Sequence, residues 1–107
     1  MSSEETEARY RAVEQIEAQL RESIWRHFTV DYLPDGAVFR WYFTQPMLSG
    51  DYLKNRIIEK FVGAIDESLT PLQRSALRET TKLSAEVLLD GPDARSVMVE
   101  VMMNGRV

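Results

Sequence analysis

The chain of 107 residues contains no cysteine, and this absence excludes several functions together. Without thiols there can be no disulfide, no thiolate metal ligand and no cysteine nucleophile. Long apolar runs are also missing, since none approaches the ~20 residues that a membrane-spanning helix needs. The first residues lack the basic and apolar segments of a signal peptide. The sequence therefore predicts a cytoplasmic protein that does not enter a membrane.

Histidine is nearly absent, because His27 is the only one in the chain. A histidine-dependent triad would have to use it, and Asp31 would lie on the same side of an extended segment. A single histidine at a helix-to-strand junction is more often structural. His27, Asp31 and Tyr32 therefore define an alternative polar site, where a small molecule would bind or react between the sheet and the helices.

The common catalytic and phosphate-binding motifs are missing as well. The sequence has no glycine-rich phosphate loop, no GxSxG and no HExxH. Paired carboxylates occur only where helix surfaces or helix ends are predicted, and such residues are usually solvated. We accordingly assign no catalytic residue, no metal site and no cofactor, and the sequence favours a non-catalytic protein.

Positive charge is in the minority, with 13 basic and 17 acidic residues and a net charge of −4. A negative chain is repelled by phosphate backbones unless its basic residues cluster. The arginines are spread along the sequence, which disfavours nucleic acid as a partner. Arg40 beside Tyr42 is the one basic and aromatic pair that could stack a base, so nucleic-acid binding ranks third among the functions considered.

Helical periodicity covers three segments. Residues from about 4 to 26 carry apolar positions at spacings of three and four, ending at Ile24. A second helix is expected over about 51–67, capped by Ser49 or Asp51. Thr70, Pro71 and Gln73 form a helix start for a third helix, which should run to about Leu83 with Leu72, Ala76, Leu77 and Leu83 facing inward.

A period of two marks two β-hairpins. Residues 27–33 and 37–44 alternate around the turn LPDGA, and this region holds most of the aromatic residues. Residues from about 83 to 102 alternate around the turn DGPDA, although 83–89 could instead extend the third helix. Together these elements predict an α+β fold: a two-layer domain over 1–107, with residues 1–4 frayed and a four-stranded antiparallel sheet in the order α-β-β-α-α-β-β. The pattern does not decide the strand order.

The alternation also predicts which residues face away from the helices. Phe39, Trp41 and Phe43 should build the core, together with the valines of the last strand. The opposite face then carries the set Arg40, Tyr42, Leu88, Met98, Glu100 and Met102. Methionine, tyrosine and arginine are enriched in protein interfaces, and exposed apolar patches usually mark binding sites.

The leading interpretation is therefore a protein–protein interaction module that uses this open sheet face, either as a homodimer or as an adaptor for another protein. The opposing interpretation is that a helix covers the face, or that the methionines fill gaps in the core.

Overall fold

The computed structural model describes residues 3–44, 48–90 and 96–105. These residues form three helices and one four-stranded antiparallel sheet, so the predicted α+β fold and its element order are confirmed. The elements are α1 (Ser3–Arg21), β1 (Thr29–Leu33), β2 (Gly36–Thr44), α2 (Gly50–Ser68), α3 (Pro71–Thr80), β3 (Thr81–Asp90) and β4 (Ser96–Gly105). Residues 1 and 2, which belong to the stretch predicted to fray, lie outside the described residues.

The strand order is β1-β2-β4-β3. Each hairpin contributes one central and one edge strand, and the antiparallel pair of β2 with β4 joins the two hairpins. In this central pair Arg40 lies opposite Glu100, and Tyr42 lies opposite Met98. The sequence left this order open, because the pairing within each hairpin does not determine which strands meet between hairpins.

Two of the predicted helix starts are present as expected. The Ser49 side chain accepts a hydrogen bond from the Tyr52 amide at 3.2 Å. The Thr70 hydroxyl accepts from the Gln73 amide at 3.2 Å, and the Thr70 amide donates back to the Gln73 side chain at 2.9 Å. This reciprocal pair is a capping box, which satisfies two amides that the first helical turn leaves without partners.

The first helix is shorter than predicted, since it ends at Arg21 and not near residue 26. The Ser23 hydroxyl donates to the Leu20 carbonyl at 2.8 Å and accepts from the Trp25 amide at 3.0 Å. Serine side chains that bond to nearby backbone in this way favour turns over helix. Ile24, which the periodicity placed on the apolar stripe, is 79% exposed, so that assignment was wrong.

The third helix ends at Thr80, and the chain continues directly into β3. Leu83 therefore belongs to a strand and is 42% exposed, and Leu72 is 81% exposed, so the prediction that both face inward as part of α3 was wrong. Ala76 is also exposed, whereas Leu77 is buried as predicted. Helix α3 therefore contributes Leu77 to the core and contacts the core along one side only. The predicted turn of the second hairpin falls mostly on residues 91–94, which lie outside the described residues.

The core lies between the helices and one face of the sheet. Phe39 on β2 and Phe61 on α2 pack edge to face with ring centroids 5.1 Å apart. Phe28 and Trp41 lie 5.1 Å apart in the same cluster. The core side of the sheet is completed by alternating residues of β4, namely Val97, Val99, Val101 and Met103. As predicted, this hairpin region forms the centre of the core.

No helix in the described ranges is both long enough and apolar enough to cross a membrane.

Candidate functional site

The face of the sheet opposite the helices, called the open face below, carries the residues predicted to lie there. Successive residues of a strand point to opposite faces, so the register assigns each residue to a side. Tyr42, Met98 and Leu88 are neighbours across β2, β4 and β3, and we call them the apolar row. Two residues away on each of these strands lie Arg40, Glu100 and Glu86, which are also neighbours across the sheet. We call them the charged row.

The open face carries a row of apolar residues that no helix of the described ranges covers. Tyr42 is 53% exposed and Leu88 is 38% exposed, whereas Met98 and Met102 are half-buried by their neighbours in the sheet. Val38 lies beside Met102 on the same face but is only 4% exposed, and the charged row separates both from the apolar row. Isolated exposed apolar residues are ordinary, but neighbouring ones such as the apolar row mark a binding surface more often than a solvated one.

Arg40 is the centre of the polar part of the open face. Its Nε atom donates to Glu100 at 3.0 Å, and its NH1 atom donates to Asp31 on β1. These two hydrogen bonds, first that to Asp31 and then that to Glu100, raise the pKa of the Arg40 guanidinium above its ordinary value. Arg40 is thus a fixed positive charge, held between two carboxylates and pre-oriented by three strands.

Glu86 is the acidic residue of the charged row that Arg40 does not reach. It lies directly opposite Glu100 in the β3–β4 register and is exposed. Like charges directly opposite each other in a sheet repel. Among the described residues Glu86 forms no ion pair, and the exposed Lys82 lies four residues away on the same face of β3, so this edge strand presents charges of both signs.

The opposite corner of the open face contains a cleft of about 440 Å³, which we call the basic cleft. It exists because β1 begins at Thr29, opposite Arg40, while β2 continues to Thr44. Tyr42 therefore has no β1 residue beside it, which leaves a vacant position at the end of β1. The segment before β1 lines this vacant position. The lining residues are Arg21, Arg26, His27, Phe28, Thr29, Arg40, Tyr42 and Met98.

Arg21 at the end of α1 fixes the wall of the basic cleft. Its NH1 atom donates to the carbonyls of Arg26 at 2.8 Å and Phe28 at 2.7 Å. Its guanidinium carbon also lies 3.7 Å from the centroid of the Phe28 ring, a cation–π contact. Trp41 also holds the segment before β1, because its indole nitrogen donates to the Trp25 carbonyl at 3.0 Å.

The charges lining the basic cleft are unequally available to a binding partner. Arg21 and Arg40 already donate to protein oxygens. Arg21 forms an ion pair with Glu17, and Arg40 forms ion pairs with Asp31 and Glu100. The Arg26 guanidinium and the His27 ring are exposed and form no hydrogen bond or ion pair with the described residues. Sequence reasoning identified His27 but missed Arg21 and Arg26, although three basic residues between a helix and a strand were a usable signal.

The alternative site predicted at His27, Asp31 and Tyr32 is divided between the two faces of the sheet. Asp31 is on the open face with Arg40, and His27 lines the basic cleft. Tyr32 points to the helices, where its hydroxyl donates to Glu17 at 2.6 Å and its ring lies 4.9 Å from that of Tyr10. Burial, and then the hydrogen bond to Glu17, raise the pKa of Tyr32. Within the described ranges no hydrogen bond, ion pair or ring contact joins any two of the three.

The described side chains also include no group of three histidine, aspartate or glutamate residues placed to hold a metal ion. The geometry instead defines an α+β fold with one sheet face that no described helix covers and with a basic cleft at one corner of that face. Comparisons with models of protein families, with curated proteins and with solved structures find no match for this chain.

Proposed function

We propose that this protein is a non-catalytic interaction module whose open face binds another protein surface, with a second copy of the chain as the partner. The observation that carries the proposal is the apolar row, with the half-buried Met102 on the other side of the charged row, on a sheet face that no described helix covers. Burying such a surface removes apolar area from water, which is the main driving force of protein association.

The residue types of the open face support a protein partner. Tyrosine, methionine and arginine are enriched in the buried centres of interfaces. Arg40 is also suited to burial, because two carboxylates already accept hydrogen bonds from its Nε and NH1 atoms. A buried charge is tolerated when it is paired and hydrogen-bonded, although such pairs contribute little net stability. We therefore expect a dimer that dissociates on dilution.

The test is the mass of the protein across a dilution series, measured by light scattering on a sizing column. The double substitution Met98→Glu with Met102→Glu places two negative charges in the middle of the open face and should abolish association. The matched control is Leu72→Glu, which adds a charge at an 81% exposed leucine on α3 and should leave the mass unchanged. Circular dichroism of all variants checks that the fold is kept.

Two results would refute the proposal. A wild-type chain that stays monomeric at the highest concentration would exclude self-association. A dimer that persists unchanged in the Met98→Glu, Met102→Glu variant would place the interface on another surface of the molecule.

The basic cleft supports a second candidate, the binding of an anionic ligand such as single-stranded nucleic acid. Tyr42 offers an exposed ring there, and Arg26 has free donors among the described residues. The net charge of −4 and the occupied donors of Arg40 rank it below protein association. Salt-sensitive retention on heparin that Arg26→Glu abolishes would favour this candidate.

A further inference from the structure

The outer edge of β3 is a second surface on which a copy of this chain can pair. β3 is ten residues long and lies at one end of the sheet, where no strand of the described residues pairs with its outer side. We infer that β3 joins antiparallel to β3 of a second copy, centred on Ser84, so that two sheets become one continuous sheet. This contact is separate from the open face and does not depend on it.

The main chain of β3 has hydrogen-bonding groups on its outer side that no described strand satisfies. In an antiparallel ladder every second residue directs its amide and carbonyl away from the neighbouring strand. Many side chains of β3 are exposed, namely Lys82, Leu83, Ser84, Glu86 and Leu88. β4, which has a strand on each side, contains no exposed residue. A long, uncovered edge of this kind is a template for another strand.

Two charges on β3 are placed to complement a second copy and not each other. Lys82 and Glu86 are both exposed on the open-face side, and neither forms an ion pair with the described residues. A separation of four residues along a strand puts them ~14 Å apart, which is too far for an ion pair within the strand. Charged residues on an edge usually hinder pairing. Opposite charges on one edge permit pairing in the register that brings them together.

Two-fold symmetry limits the register of such a pair. Residues directly opposite each other lie on the same face, so the axis passes through a residue that faces its own copy. With the axis at Ser84, Lys82 of each copy lies opposite Glu86 of the other. A shift of the axis by one residue leaves both charges opposite uncharged residues. An axis at Lys82 or at Glu86 sets like charges against each other, although the second of these also places Lys82 opposite Asp90.

The register centred on Ser84 also suits the residues beside the edge. On the open-face side, Glu86 lies opposite Glu100 of its own chain, and Lys82 of the second copy supplies a cation on its other side. On the helix side, Leu83 is 42% exposed and lies opposite Ala85 of the second copy, which covers part of it. Charge and apolar cover therefore favour the same register.

The pairing uses a narrow surface, and this determines its strength. Residues 81–87 pair with their own copies and form about six to eight main-chain hydrogen bonds. Helix α3, which leads directly into β3, contacts α1 and α2 and therefore stays within the helix layer. A contact one strand wide buries less area than a standard interface and belongs to the weak, transient class. The edge therefore fills at higher protein concentrations than the open face.

The other edge strand lacks these features. β1 has five residues, and short edge strands resist pairing. Its one charged residue is Asp31, whose carboxylate already accepts a hydrogen bond from Arg40. A two-fold pair centred on Asp31 sets two carboxylates against each other, and a shift of one residue leaves Asp31 opposite an uncharged residue. β1 therefore serves as an internal control.

Amide hydrogen exchange of the full chain, followed by NMR across a concentration series, tests the pairing. Face-to-face contact leaves the outer amides of β3 open to water, so their exchange rates report on the edge alone. At the highest concentration, every second amide within residues 81–87 should exchange about ten-fold more slowly than in the dilute sample. The outer amides of β1 should keep their rates.

Charge reversals test the register. Lys82→Glu sets like charges opposite each other at both ends of the pair, and it should return the outer β3 amides to within about two-fold of their dilute rates. Adding Glu86→Lys exchanges the two charges, restores both opposite pairs and should restore slow exchange. The matched control is Lys60→Glu, an exposed lysine on α2, which changes the net charge equally and should leave exchange as in wild type. The inner amides of β3 show whether each variant keeps its fold.

Three outcomes separate this inference from the proposed function. Outer β3 amides whose rates do not change with concentration would overturn the inference, whether or not the chain associates through the open face. Slow exchange that Lys82→Glu leaves intact, or that the double variant does not recover, would overturn the register centred on Ser84. Slow exchange in a chain whose mass does not respond to the open-face substitutions would refute the proposed function and leave the edge pairing in place.

Discussion

The two faces of this one sheet are built from alternating residues of the same strands, yet they differ in cover and in composition. On the helix side Phe39 and Trp41 are 0% and 2% exposed, and apolar residues continue without interruption into α1 and α2. On the open side the charged row interrupts the apolar residues. Apolar contact is non-directional, whereas charge pairs favour one orientation. The helix side thus stabilises the fold, while the open side is the one whose charges would orient the proposed partner.

The largest expected effect is the difference in stability between variants at Trp41 and Tyr42, adjacent residues of β2 that point to opposite faces of the sheet. Trp41→Ala removes a buried ring and the donor to the Trp25 carbonyl, so it should lower the free energy of unfolding by about 3–5 kcal/mol. Tyr42→Ala should cost less than about 1 kcal/mol in the monomer, because its ring is 53% exposed. Urea unfolding at low protein concentration measures both values. Equal losses would mean that the two faces contribute alike to stability.

A smaller effect is expected from Arg40→Met, which keeps the length of the side chain but removes its charge. Glu100, with 18% of its side chain exposed, would then lie opposite Glu86 without a cation, and the fold should lose about 1 kcal/mol. Adding Glu100→Met should restore most of this loss, because replacing both members of a pair by apolar groups is often neutral. Urea midpoints of the single and double variants give the coupling. A double variant less stable than Arg40→Met would contradict the expected cost of leaving Glu100 without its cation.

The smallest effect concerns the pH dependence of Tyr32 on the helix side. Burial and the hydrogen bond to Glu17 raise its pKa in the folded state above the ordinary value of about 10. The folded state therefore keeps the proton after the unfolded state has lost it. This contribution to stability is complete below about pH 10 and is lost as the pH rises towards the folded-state pKa. Tyr32→Phe should reduce the alkaline loss of stability and remove the last tyrosine to ionise in an absorbance titration. An unchanged titration curve would contradict the assignment.

Much of the fold could be predicted because its signals are local. The capping box at Thr70 and the alternation around Trp41 each depend on a few neighbouring residues. The end of α1 was misjudged, since Ile24 continued the helical spacing while the Ser23 hydroxyl favoured a turn. The strand order depends on contacts between hairpins that are far apart in sequence, and no local pattern encodes them.

The candidate site was predictable to the extent that it follows strand alternation. The apolar row lies where the period of two placed it. The basic cleft was not predictable, because it combines the end of α1, the segment before β1 and Tyr42, a β2 residue that has no neighbour on β1. Glu86 becomes part of the charged row only through the register of β3 with β4, which places it opposite Glu100. Such relations between distant segments arise when the chain folds.

The central pairing of β2 with β4 has a consequence for the order of folding. Arg40 and Glu100 are 60 positions apart, whereas each hairpin can close over a short loop. Closing the longer loop costs more entropy, and chains dominated by such distant contacts fold slowly. The hairpins can therefore form first, each with a bare central strand that is open to pairing with another chain. The surface proposed to bind a partner comes into existence only when this last pairing is made, so an incompletely synthesised chain cannot associate through it.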